Sequence, residues 1–187
     1  MAIAEEAWDC RASFFVSSHR IDKYNMYAYN MGKYENEVLI MYEFEHTITT
    51  TAQAATIWAL YSDIATWTEW DKGIAFASLE GPFVRGTRGI LQPEGQGRLS
   101  FELTEIEPCQ GFSDVTDIPG AGIQVRFTHR LAPSDEGTLV THRVAITGPN
   151  ADAVGPDFIA ALSEGIPHTM AGLAAMALEK ERANERQ

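Results

Sequence analysis

IQVRFTHRLAPSDEGTLVTHRVAIT, residues 123–147, reads as two strands and the turn between them. Along the first, Ile123, Val125, Phe127, His129 and Leu131 share one face, while Gln124, Arg126, Thr128 and Arg130 share the other. Along the second, Val140, His142, Val144 and Ile146 oppose Leu139, Thr141, Arg143 and Thr147. A period of two is that of an antiparallel strand with one face on a core. Both histidines therefore fall on the inward, apolar face. If residues 134–137 form a tight hairpin, the register sets His129 directly opposite His142 or one pair away, within side-chain reach.

Outward from this hairpin the same pattern repeats. Strand signals at 42–50, 74–80, 86–92, 97–107 and 111–118 join those at 121–131 and 137–147, which makes seven. Gly81-Pro82, Pro93 with Gly95, residues 108–111 and Pro119-Gly120 supply the breaks between them. After the first strand, Thr50 and Gln53 have capping-box spacing, and Ile57, Trp58 and Tyr61 lie at helical spacing in the helix that follows. A second short helix covers 64–70. Beyond Pro149 one long helix carries Ile159, Leu162, Ile166, Met170, Leu173 and Ala177 as an apolar stripe for the concave side of the sheet, with a charged tail from Glu179 expected to fray. Pro167 lies inside this helix, where a kink or break is expected, either as two packed helical pieces or as a hinge.

The bulk properties bound the function. With 187 residues and 45% hydrophobic content, the chain suffices for one domain with a sizeable core. A net charge of −12 would repel a phosphate backbone, so nucleic acid is not an expected partner. No apolar run reaches membrane-spanning length, and a cytoplasmic location is expected. Cys10 and Cys109 have no thiol or histidine at metal-ligand spacing, which leads to the expectation of two reduced, inert thiols. Residues 1–41 differ from the rest. Tyr24, Tyr27, Tyr29 and Tyr34 alternate with Asn25, Asn30 and Asn36 without a helical or strand period, so this extension is expected to be poorly ordered. A start codon at Met31 or Met41, a genuine extension, and an arm that docks on a partner all fit it. The expected organisation is thus an extension at 1–41, a domain at 42–182 and a charged tail at 183–187.

The order of features resembles the SRPBCC superfamily, the START-like and Bet v 1-like proteins related to polyketide cyclases and dehydrases. It rests on the first strand, IWALYSD at 57–63, WTEW at 67–70, GPFVRGTRG at 81–89, THRVAITGP at 141–149 and the terminal helix, about three quarters of the chain. The resemblance implies an α+β helix-grip fold: a curved antiparallel sheet of about seven strands wrapped on a long C-terminal helix, with two short helices after the first strand. It also implies a cavity between sheet and helix. The superfamily holds hydrophobic-ligand carriers, polyketide cyclases and dehydratases, and hormone receptors, so it implies a pocket and not a reaction.

The expected ligand is a hydrophobic small molecule such as a polyketide, a quinone tail or a lipid. Phe101, Leu103, Val125, Phe127, Ile166 and Met170 would line its cavity, with Trp70 at the entrance offering an apolar face and one donor. His129 and His142 would hold a carbonyl or hydroxyl, or be core histidines satisfied by backbone or water. In the enzyme alternative, a cyclase or dehydratase, one of them is the general base. Asp114, Glu105 and His46 are the available third ligands for a metal, but their spacing selects none, and neither a metal nor a cofactor is expected. Arg88 is read as a rim charge or an anion anchor.

Overall fold

The computed structural model describes residues 27–30 and 40–186. Eight strands form one antiparallel sheet: β1 (Tyr27–Asn30), β2 (Ile40–Thr50), β3 (Ile74–Leu79), β4 (Arg88–Pro93), β5 (Leu99–Glu107), β6 (Gly111–Ile118), β7 (Ile123–Ser134) and β8 (Gly137–Thr147). Their spatial order is β1-β2-β8-β7-β6-β5-β4-β3. The chain leaves β2 through α1 (Ala54–Ser62), a 3-10 turn at Ile64–Thr66 and α2 (Trp67–Trp70), and enters β3 at the opposite edge. From β3 to β8 it then meanders back by hairpins. α3 (Ala151–Asn184) crosses the resulting concave face. The seven strands from β2 to β8, the two short helices and the terminal helix are the helix-grip arrangement read from the sequence.

The sheet curves because its strands are irregular at two places. The pairing of β5 with β6 shifts between Leu103 and Glu105, and that of β3 with β4 shifts between Ile74 and Phe76. An extra residue bends a strand and increases its twist. At the first shift the inward face passes from Phe101 and Leu103 to Ile106, leaving Thr104 and Glu105 to bond outward with Arg126 and Arg130. The outer face carries further ion pairs, Arg88 with Glu102 and Arg143 with Glu43. The exposed Arg88–Glu102 pair contributes little to stability, whereas Glu43 in the other is largely buried.

Several local expectations are corrected. Thr50 and Gln53 form no capping box: Gln53 itself is the N-cap of α1 without a side-chain bond, and Thr50 Oγ1 accepts from Ala52 N–H. The Gln53 N–H instead donates to Glu181 Oε1 on α3, at 2.7 Å. A tertiary carboxylate has replaced the local cap, and it also holds the tail that was expected to fray from Glu179, which stays helical to Asn184. Nor does α3 break. It runs through both Pro156 and Pro167, because the missing N–H is a local loss while Ile159, Ile166, Met170 and Leu173, all buried, press one continuous stripe onto the sheet. Cys109 is disulfide-bonded, against the expectation of a reduced thiol. A cysteine's oxidation state depends on what the fold brings beside it, and spacing along the chain does not report that.

Within the stretch expected to lie outside the domain, Tyr27–Asn30 pairs with β2 as an edge strand, Tyr27 opposite Glu43 and Asn30 opposite Ile40. The remainder of residues 1–39 lies outside the described residues. Among the described residues the buried core begins at Phe44, with Tyr42 packed against it. With thiols reduced in both proteins, so that loss of the disulfide does not enter the comparison, a chain starting at Met41 is therefore expected to keep its fold, with a drop in melting temperature below about 8 °C, the equivalent of roughly 2–4 kcal/mol. A larger drop in a thermal melt would make the extension part of the core.

Candidate functional site

The hairpin of β7 and β8 is paired as its alternation requires, with His129 directly opposite His142. His142 is in turn opposite His46 on β2, and His129 opposite Phe112 on β6. One row of rings thus crosses four neighbouring strands on the concave face. The His129 ring stacks on Phe112, centroids 4.2 Å apart and planes within 14°, and meets His142 edge-on at 4.3 Å. Gly111 lets β6 start this pairing: at φ +148 it takes a conformation other residues avoid, and a Cβ there would collide with the His129 carbonyl oxygen.

α1 lays Tyr61 over the row. Its hydroxyl lies 2.8 Å from His142 Nε2, and its ring contacts Phe112, His129 and Trp70. Burial pushes the Tyr61 phenol well above its ordinary range, so it remains a donor. His142 is pushed down to about 3 by burial and by the neighbouring His46, so it is neutral, and its Nε2 shares one hydrogen bond with the Tyr61 hydroxyl. His129 is also held well below the ordinary imidazole range, first by burial and then by His142 and Arg130. Its Nδ1 is buried without a hydrogen-bond partner, as is Trp58 Nε1.

β6 adds a carboxyl to this apolar face. Asp114 stands opposite Leu103 and Phe127, one diagonal step from His129, and its Oδ2 is 3.9 Å from His129 Nε2. That separation counts as an ion pair, yet both partners move towards neutrality: burial raises Asp114 to about 7, with Arg126 opposing, while burial lowers His129. Desolvation outweighs attraction in such a site, so the pair is an acid of near-neutral pKa facing a neutral base.

Of the residues expected to line the site, Trp70, Phe101, Leu103, His129, His142, Ile166 and Met170 are buried, and Phe127 is partly buried against the same core. The structure brings His129, His142 and Phe127 together on neighbouring rungs. Trp70 is 4% exposed, and its Nε1–H donates to Thr66 Oγ1, so its donor is used within the protein. Trp67 likewise spends its N–H on the Tyr61 carbonyl. Arg88 points outward to Glu102 and lines a groove of about 570 Å³ on the convex face, together with Arg126, Asp117 and Gln124. That groove carries mixed charge and does not include the histidines.

Sequence reasoning passed over Tyr61 and weighed Asp114 only as a metal ligand. The available signal for Asp114 was its place with Phe112 and Thr116 on one strand face, an acid where an apolar residue is the rule. Tyr61 gave no such signal, because its partner is on a strand 81 positions away.

Comparisons with known proteins agree with this architecture. Among solved structures, Ara h 8.0201 superposes with a TM-score of 0.61 at 15% identity over 74% of this chain and 99% of that one. Norcoclaurine synthase from Thalictrum flavum, in complex with dopamine and hydroxybenzaldehyde, gives 0.60 at 13% over 75% and 88%. The di-domain ARO/CYC StfQ from the steffimycin biosynthetic pathway gives 0.61 at 16%, over 77% of this chain and 52% of that one. At such identities the likeness is one of fold. No curated protein matches the sequence. No described helix is long and apolar enough to cross a membrane. Residues 41–177 match the model of one family over most of the chain, and the protein belongs to that family, described as polyketide cyclase / dehydrase and lipid transport.

Proposed function

We propose that the protein binds a hydrophobic small molecule between the sheet and α3, held against the cluster of Tyr61, Asp114, His129 and His142. A polyketide, a quinone tail or a lipid fits this class. The observation that carries the reading is His129 Nδ1, one of four buried side-chain polar atoms without a hydrogen-bond partner among the described residues, which lies within the ring cluster on the concave face. Buried polar groups are nearly always bonded, and a ligand with one polar group set against the cluster would satisfy this one. Membership of a family described by cyclases and lipid transport supports the same class. Phe101, Leu103, Phe127, Ile166 and Met170 would supply the apolar wall, with Trp70 beside it.

A second reading, an enzyme of the cyclase or dehydratase type, is favoured by one specific observation. His129 and His142 are both kept neutral by burial, His129 with Nδ1 unpartnered and Asp114 of pKa about 7 beside it, and His142 with Nε2 bonded to Tyr61. A neutral imidazole next to a bound carbonyl is equipped to remove a proton. In that case His129→Gln or His142→Gln removes turnover and leaves binding in place.

The binding reading is tested by native mass spectrometry of the purified protein, which should show a co-purified small molecule, and by titration with 1-anilinonaphthalene-8-sulfonate. Micromolar binding is expected, and Met170→Trp should abolish it by filling the space under α3 while circular dichroism stays unchanged. Overpacking there costs about 1–3 kcal/mol. Undiminished binding of the probe by a folded Met170→Trp variant would place the site elsewhere.

A further inference from the structure

We propose that Asp114 is a positioning residue for His129: its carboxylate accepts a hydrogen bond from Nε2–H, and the lone pair this leaves on Nδ1 accepts a hydrogen bond from a ligand hydroxyl. The ligand part of this rests on the binding reading above; the part concerning Asp114 and His129 rests on the protein alone.

A neutral imidazole has one N–H and one lone pair. Nε2 has the Asp114 carboxyl 3.9 Å away, and Nδ1 has no partner. With the proton on Nδ1, an N–H would be buried with nothing to receive it, while the Nε2 lone pair faced a carboxylate. With the proton on Nε2 the donor points at an acceptor, and a movement of ~1 Å closes the gap to hydrogen-bond length. Three neighbours hold the ring so that the choice of tautomer matters: Phe112 stacks on one side, His142 meets it edge-on, and Tyr61 lies above. The Tyr61 hydroxyl bonds to His142 and makes no bond to His129 Nδ1.

The charge state of Asp114 therefore decides what His129 offers. As a carboxylate it accepts from Nε2–H and leaves a basic Nδ1. As a carboxylic acid it donates to Nε2, and Nδ1 becomes a donor. The other titratable groups around the pair are Tyr61 on α1, His142 on β8 with His46 beyond it on β2, and Arg126 and Arg130 on β7. The buried stripe of α3 above the sheet, Ile159, Ile166, Met170 and Leu173, carries none. Above neutral pH the carboxylate form prevails, since burial sets Asp114 at about 7. The site then suits an apolar ring bearing a hydroxyl, and should refuse the same ring once that oxygen is methylated.

Nitrogen-15 NMR of the ligand-free, full-length protein at pH 8.5, with His129 assigned by loss of its signals in His129→Gln, tests the first half. Nε2 is expected at the protonated position and Nδ1 at the lone-pair position, and in Asp114→Leu both should move to the intermediate positions of a mixture. A wild-type His129 protonated on Nδ1 at this pH overturns the proposal, and needs no variant to fold. The second half is read with 1-naphthol and 1-methoxynaphthalene: wild type should prefer the naphthol by roughly tenfold, the worth of one hydrogen bond, and Asp114→Leu should lose that preference. Equal affinity in wild type overturns the ligand assignment. If neither compound binds while the tautomer is as expected, the binding reading falls and the role of Asp114 stands.

Discussion

Between about pH 6 and about pH 4.5 the protein is expected to lose close to 1.4 kcal/mol of stability per pH unit, and Asp114→Asn is expected to double that slope. His129 and His142 both bind a proton more weakly in the folded chain than the ~6.5 of an unfolded histidine. The unfolded state therefore takes up two protons that the folded state refuses, and stability falls as pH falls. Asp114 acts in the opposite sense. Its folded pKa of about 7 lies above the ~3.9 of the unfolded chain, so over this range the folded state holds a proton that the unfolded state has released, which offsets one of the two. One uncompensated proton is worth ~1.4 kcal/mol per pH unit. Removing the acid leaves two, and should also stabilise the protein above pH 7, where a buried carboxylate is no longer carried. Urea denaturation of both proteins at several pH values measures this. Parallel slopes for the two would show that Asp114 does not titrate between its folded and unfolded values as stated.

Phe112→Ala is expected to cost about 3–5 kcal/mol, the range for deleting a buried ring. Phe112 is fully buried where the elements meet: it stacks on His129 and touches Tyr61 from α1, Trp67 from α2 and Phe83 from the β3–β4 connection. Neighbours on so many elements cannot close the void without moving the sheet and helices together, so the upper part of the range is expected. At ~2–4 °C per kcal/mol, melting should fall by about 10 °C or more. A loss under about 1 kcal/mol would mean that the site collapses freely around the missing ring.

How much of this was legible in the sequence depended on the range of the interaction concerned. His129 opposite His142 could be read because alternation sets the face and a short turn sets the register, both local properties. The inward positions of Phe101, Leu103, Val125 and Phe127 followed from the same rule. Tyr61 on His142 and Asp114 beside His129 could not be read, since each contact joins elements whose relative placement only the folded sheet defines. Trp70 shows the converse. Its helix was read correctly, but the fate of its N–H depended on Thr66 being turned towards it four residues earlier. Glu181 capping α1 across 128 positions is a further case where a local pattern, Thr50 with Gln53, pointed to one bond and a distant side chain made another.

The pairing of β2 with β8 has a consequence for how the molecule comes into being. β3 to β8 follow one another as hairpins, so their ladders can zip from contacts near in sequence, whereas His46 meets His142 only by closing a loop of nearly a hundred residues. Closure over such a separation is slow, and it is the last strand pairing the chain can make during synthesis. Until it forms, His142 lacks its His46 flank, one of the two causes that hold its basicity down. The shift at His142 is thus complete only when the sheet is, and refolding should be slower below pH 6, where that ring must shed a proton before the final pairing can take it in.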